Sequence, residues 1–442
     1  MALLDAAAVL LVLAAAFGFL NHHLLKLPFA IGLLVSGLLA SFCVLALDAL
    51  VPSWDVGAQV RAMVLEINFA DTVLSGMLSL LLFAGALHTD LGKLKKRLSV
   101  ILSLASVGVL ISTAVAGCSA YALFRAFGVD IQFIWCLVFG ALISPTDPIA
   151  VLGIMKAAKA PKQLEMKVIG ESLFNDGTGV VVFTVLVGVG VAMMTGGDAA
   201  ADEAMSPGRV TTVLLKEIVG GVVLGLVAGY ACYRAFKTLD EPNLEILISV
   251  ATVFGIGFVA SRLHLSAPLA AVVAGLFIGN RGRLTAMSAQ TSQNLDVVWT
   301  FLDELLNAVL FLLIGLEVFA IDYSRASYLW VAAVLIPAVL LARFLGVFVP
   351  VTVLRLKRDI DRGTVRVLTW GGLKGGISVA LAMKLPEFEG RNAVLTATYV
   401  IVVFSIVVQG LTVGKLIRST YPSGVAPRAE EPDDEQAAAP AS

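Results

Sequence analysis

Read for hydrophobic and polar positions alone, the chain alternates long apolar runs with short charged stretches. Thirteen runs stand out, at roughly 2–21, 28–47, 72–88, 99–124, 131–155, 166–195, 210–233, 244–261, 265–280, 298–320, 327–354, 364–385 and 392–416. Most approach the ~20 apolar residues that carry a helix across a bilayer. Continuous runs of this length predict helices, not alternating strands. Residues 52–70 mix polar and apolar positions and predict an amphipathic helix lying at the interface. From Tyr421 the chain turns to Pro, Ala and acidic residues, which predicts a short disordered tail over 421–442. Met1 to Leu25 has no basic leader and an apolar run long enough to span, so it reads as a retained first helix.

Two runs contain breakers. The fifth holds Ser144-Pro145-Thr146-Asp147-Pro148, two prolines around an acid. The twelfth holds Gly371-Gly372-Leu373-Lys374-Gly375-Gly376, four glycines around a base. Both helices should stop inside the membrane and free backbone amides and carbonyls. They lie seven runs apart, so they cross in opposite directions. That spacing predicts two six-span inverted repeats (about 1–195 and 244–416) joined by a linker helix over about 210–233. Paired broken helices place a transporter site at the repeat interface.

Composition agrees with this layout. The chain has 442 residues, 59% hydrophobic and 14% charged, a balance that excludes a soluble domain. Its mean hydropathy is +0.94. The net charge of −1 offers no basic surface for nucleic acid. Basic residues are sorted by side. Loops after odd-numbered runs, with the C-terminal tail, hold 21 Lys and Arg, and the opposite loops hold 8. The positive-inside rule puts the C-terminus in the cytoplasm and the N-terminus outside. The four cysteines lie in apolar runs as packing residues, and the four histidines lack zinc-ligand spacing.

Chemistry concentrates in Gly170-Glu171-Ser172-Leu173-Phe174-Asn175-Asp176-Gly177 of the sixth run. A carboxylate at membrane depth is costly and marks an ion pathway or proton relay. On a helix, Glu171 and Asn175 are one turn apart, as are Ser172 and Asp176. Asp176 is the expected site carboxylate. With Ser172, Thr146, Asn175 and freed carbonyls it would offer the oxygens that a hard cation such as Na⁺ takes. The same carboxylate can hold a proton instead, and that competition is an exchange mechanism. Neutral Asn175 leaves one titrating group, which predicts one cation for one proton. Glu171 needs a base, and Arg343 is one of two lying deep in a run. A structural ion pair is expected, with Asn175 in reach of it. Asp147 and Lys374 are expected to compensate the half-helix ends of the two breaks.

Together these segments resemble the monovalent cation:proton antiporters, specifically bacterial Na⁺/H⁺ exchangers similar to the animal plasma-membrane exchangers. The resemblance covers about 25–415. It rests on Leu27-Pro28-Phe29, Ser144-Pro145-Thr146-Asp147-Pro148, Glu171-Ser172-Leu173-Phe174-Asn175-Asp176, His264-Leu265-Ser266-Ala267-Pro268, Phe311-Leu312-Leu313-Ile314-Gly315, Trp370-Gly371-Gly372-Leu373-Lys374 and Val408-Gln409-Gly410. It implies an all-α polytopic sodium/proton antiporter fold with crossed broken helices, a mobile ion-carrying part and a dimerisation part, homodimers, and elevator-like alternating access in a plasma membrane. It implies cation binding by Asp176, Ser172 and Thr146, and an ion pair between Glu171 and Arg343. The Asn-Asp form implies electroneutral exchange. Two departures stand out: Ala84 where many relatives carry an acid, and Lys374 where many carry Arg.

No cofactor is expected. The cargo is Na⁺ and H⁺, with K⁺ or Li⁺ as alternatives, and the partners are the lipid bilayer and a second copy. Competing readings are a K⁺/H⁺ antiporter, an intramembrane aspartyl protease using Asp147 and Asp176, and a cation channel.

Overall fold

The computed structural model describes residues 3–51, 69–204, 206–320, 325–355 and 362–422. Every regular element among them is helical. The helices are α1 (Leu3–Leu20), α2 (Phe29–Leu50), α3 (Phe69–Leu87), α4 (91–126), α5 (Phe133–Ile143), α6 (Ile149–Ala157), α7 (Lys162–Ala204) and α8 (Pro207–Phe236). They continue with α9 (Pro242–Leu263), α10 (Ala267–Phe277), α11 (Ala289–Leu316), α12 (Ala326–Arg355), α13 (Arg362–Trp370), α14 (Gly376–Met383) and α15 (Arg391–Thr420).

Ten helices among the described residues are long and apolar enough to cross a membrane. The expected thirteen exceed this for a physical reason. The fifth and twelfth runs are each cut into two short helices, α5 with α6 and α13 with α14, and the ninth yields only the 11-residue α10 before its backbone loosens. The sixth run differs too. Its helix continues past the expected end near 195 to Ala204, where an Ala-rich stretch sustains it. The amphipathic helix expected over 52–70 and the tail expected from 421 fall almost wholly outside the described residues.

Local chemistry starts the helices. Asp90 accepts from the Lys93 amide at the head of α4 (3.0 Å), and Ser288 from the Thr291 amide at the head of α11 (3.2 Å). These are N-caps that satisfy donors the helix cannot. Proline opens α8 and α9, where its missing N–H costs nothing.

Glycine sets how closely the helices meet. α4 packs on α5 with Gly140 against the Thr113 carbonyl, where a Cβ would sit 2.2 Å from that oxygen. α4 also meets α12 through Gly108 and Gly346, each facing the other's carbonyl. Such backbone contact between helices needs small residues. One large apolar core surrounds α2, α5, α12, α14 and α15. A smaller one joins α3, α8, α9, α10 and the first half of α11.

Gly140→Ala is expected to destabilise the fold by about 1–3 kcal/mol, the usual cost of forced overpacking. A lower midpoint of thermal unfolding in detergent, with the helical far-UV spectrum unchanged at low temperature, checks this.

Candidate functional site

The two breaks meet. Between α5 and α6 the chain runs through Ser144 to Pro148, and between α13 and α14 through Gly371 to Gly375. The Asp147 amide donates to the Leu373 carbonyl across the crossing (2.8 Å). The Lys374 ammonium donates to the carbonyls of Ser144 (3.0 Å) and Pro145 (3.3 Å), the orphaned C-terminal end of α5. The Asp147 carboxylate accepts from the Ile149 amide at the N-terminus of α6 (2.9 Å). A base thus sits on the negative end of one half-helix and an acid on the positive end of the other.

The second break is satisfied from α15. That helix widens over Ser405–Gln409 into a π-type bulge. The Ser405 hydroxyl accepts from the Lys374 amide (2.9 Å), and the Gln409 amide donates to the Trp370 carbonyl (3.0 Å). Bulges of this kind commonly sit at functional sites. Gly375 lies against Asp147, where a Cβ would fall 2.6 Å from the carboxylate. Only glycine lets the two breaks come this close.

α7 passes beside the crossing and supplies the rest. Pro145 rests on Gly179, so the first break packs flat on this helix. The oxygen-bearing side chains of Glu171, Ser172, Asn175 and Asp176 turn to different surroundings. Ser172 and Asn175 turn to the first break: the Ser172 and Thr146 hydroxyls are hydrogen-bonded (3.2 Å), and the Asn175 amide donates to the Thr146 hydroxyl (2.8 Å). The Thr146 amide also donates to the Asn175 side-chain oxygen (3.4 Å). Glu171 turns to α12, where Arg343 meets it through both terminal nitrogens. Arg343 spends its other donors on the Leu368 carbonyl of α13 and not on Asn175. The Gly372 backbone lies against that guanidinium.

Asp176 stands apart. It is buried, only 4% exposed, and its Oδ1 has no hydrogen-bond partner. Asp147 and Lys374 are its charged neighbours. A buried carboxylate oxygen left without a partner is unusual in a finished fold, where such atoms are paired. It is the acceptor that a proton or small cation would fill. No group of three His, Cys, Asp or Glu gathers among the described residues, so a cation here would take neutral oxygens as well as charge.

Residues 9–418 match the family described as sodium/hydrogen exchanger, transmembrane. The chain belongs to the sodium/hydrogen exchanger family. It is similar to the Na(+)/H(+) antiporter NhaP of Pseudomonas aeruginosa, 43% identical over 95% of this chain and 97% of that protein. It is 35% identical to the Na(+)/H(+) antiporter NhaH of Halobacillus dabanensis over 79% of this chain and 83% of the relative. Its fold matches the sodium proton antiporter MjNhaP1 from Methanocaldococcus jannaschii, with a TM-score of 0.73 at 18% identity, covering 94% of this chain and 99% of that one. The exchanger is a multi-pass membrane transporter and not an enzyme, which removes the aspartyl protease reading.

One part of the exchanger's polar interior escaped the sequence reading. α11 carries Ser292, Asp296, Thr300, Asp303 and Asn307 at spacings of four, four, three and four, a single stripe. Arg283 clasps Asp296 with both terminal nitrogens and reaches Ser292, while His88 contacts the same carboxylate at 3.2 Å. Arg283 supplies a permanent positive charge beside that carboxylate. The spacing was the available signal, lost within an otherwise apolar run.

Glu171→Gln should cost about 3–5 kcal/mol of stability by leaving the Arg343 guanidinium buried and unpaired. Replacing both partners by leucine should cost less than Glu171→Gln alone. Thermal unfolding of the single and double variants in one detergent decides it.

Proposed function

We propose that the chain is a secondary active Na⁺/H⁺ antiporter in which one Na⁺ and one H⁺ compete for Asp176. The observation that carries this reading is the open, buried Asp176 Oδ1, one helical turn from Ser172, whose hydroxyl is hydrogen-bonded to that of Thr146. Ser172 and Thr146 supply further oxygens for the cation. Asn175 holds Thr146 in place, and Glu171 with Arg343 fixes α7 to α12 without touching the cargo.

Charge counting supports one-for-one exchange. The buried groups at the crossing are Asp147, Glu171 and Asp176 against Arg343 and Lys374. Ionised, they leave one net negative charge, which either a proton or a Na⁺ cancels. The loaded site is neutral in both forms, and only a neutral site crosses hydrocarbon at low cost. Turnover is therefore electroneutral.

The inverted-repeat reading, with α1–α7 related to α9–α15, has its own support. Left-handed backbone recurs at matching turns: Lys26 before α2 with His264 before α10, and Lys159 before α7 with Gly390 before α15. Close glycine contacts recur too. Gly37 of α2 meets Gly315 of α11, and Gly275 of α10 meets the Phe83 carbonyl of α3, the same pair with its repeats exchanged. Alternating access then proceeds by elevator-like movement of the crossing against a dimeric scaffold. The protein sits in the plasma membrane with its N-terminus outside and its C-terminus in the cytoplasm. A K⁺/H⁺ antiporter would use the same groups, and a channel would pass current.

Purified protein in liposomes holding a pH-sensitive dye, under an imposed pH gradient and clamped voltage, tests this. Na⁺ should collapse the gradient at a rate independent of voltage, and Asp176→Asn should reduce it to the leak of empty liposomes. Collapse with K⁺ alone would change the cargo. Voltage-dependent current or activity surviving in Asp176→Asn would overturn the mechanism.

Competition also fixes the pH dependence. Below the pKa of the Asp176 site, the half-saturating Na⁺ concentration should rise about tenfold per pH unit, because the cation needs the deprotonated carboxylate. Initial rates against Na⁺ at several equal inside and outside pH values measure this slope.

A further inference from the structure

The polar stripe of α11 leads from the Arg283 cluster to the crossing, and its inner end is built like a site. Its rotation is fixed on both sides. The Trp299 indole donates to the Ser249 hydroxyl of α9 (3.0 Å), and its ring packs on Phe83 of α3 with centroids 4.6 Å apart. At the far end Leu310 lies on Gly376, the first residue of α14, where a Cβ would fall 2.3 Å from its Cδ1. Asn307 is one turn before that contact and Asp303 one turn before Asn307, so both share the face that meets the crossing.

Asn307 is only 5% exposed. Its amide nitrogen donates to the Asp303 backbone carbonyl (2.7 Å), while its Oδ1 is buried with no partner. Asp303 is half-buried. Its carboxylate meets the Asn307 side chain, and its charged neighbours are the acids Asp147 and Glu304, with no base among them. An acid at this depth facing other acids lacks the counter-charge that buried carboxylates ordinarily have. One turn of α11 therefore presents a carboxylate and an open amide oxygen, and no base among the described residues pairs with them. These are ligands for a hard, partly hydrated monovalent cation.

We propose that Asp303 and Asn307 form a second cation-holding station on α11, which receives Na⁺ from the Asp296 end of the stripe and hands it to Asp176. The station rests on the antiport reading above. It holds the ion before the exchange site does, so it governs how readily the site loads and not whether exchange is possible.

The test is the Na⁺ dependence of exchange in proteoliposomes, with the full-length dimer or monomer as purified. Asp303→Asn should raise the half-saturating Na⁺ concentration about tenfold and leave the maximal rate within about twofold, the pattern of a lost binding interaction. Asp303→Glu should restore most of the loss. Asn307→Asp adds a charge to the station and should lower half-saturating Na⁺ below the parent value. An unchanged Na⁺ dependence in both Asp303→Asn and Asn307→Asp would overturn the station, as would a fall in maximal rate alone. Failure of the antiport reading looks different: Asp176→Asn would then retain Na⁺-driven proton movement, whatever the Asp303 variants do.

Discussion

The Lys374 ammonium on the Ser144 and Pro145 carbonyls is what allows a helix to stop inside the bilayer. A broken helix leaves backbone groups unpaired where water cannot reach them, at several kcal/mol each. Here named partners meet several of these groups at the crossing. Lys374 takes the end of α5, Asp147 the start of α6, Ser405 and Gln409 the second break. These contacts help the crossing hold irregular backbone at membrane depth. The Asp176 Oδ1 atom, by contrast, is buried with no hydrogen-bond partner.

The Glu171–Arg343 pair has a different task. It binds α7 to α12, and the same guanidinium reaches α13 through the Leu368 carbonyl. Three helices that carry or border the site are joined by one side chain. A buried ion pair adds little net stability compared with apolar packing, but it tolerates only one arrangement. It orients α7 so that Ser172 and Asn175 face Thr146, two residues of one helix turn served by one break.

Much of this was legible in the residues. Apolar run lengths located the helices, and Pro145, Pro148 and the Gly371–Gly376 glycines located the breaks, because those residues act on the backbone directly. Glu171 and Arg343 were matched by scarcity, since few bases lie deep in apolar runs. Other features depend on rotation about a helix axis, which run length does not report. The division of the α7 face between Thr146 and Arg343 is one such feature, and the polar stripe of α11 is another. Asp303 and Asn307 sit in a run whose average is apolar, and only their spacing distinguishes them from scattered polar residues. The extension of α7 to Ala204 was hidden by Gly196 and Gly197, which read as an end when the following alanines carry the helix on.

That extension has a mechanical meaning. At 43 residues α7 is about 65 Å long, roughly twice the ~30 Å hydrocarbon thickness. Asp176 lies near one third of this rod, whose apolar part runs on to Gly196 and is longer than a perpendicular crossing needs. A rod held at one end and tilted by about 10° sweeps its other end through about 11 Å at this length. The Asp176 carboxylate is therefore mounted on a rod whose longer arm runs on to Ala204. A small rotation at the crossing becomes a large displacement at that far end.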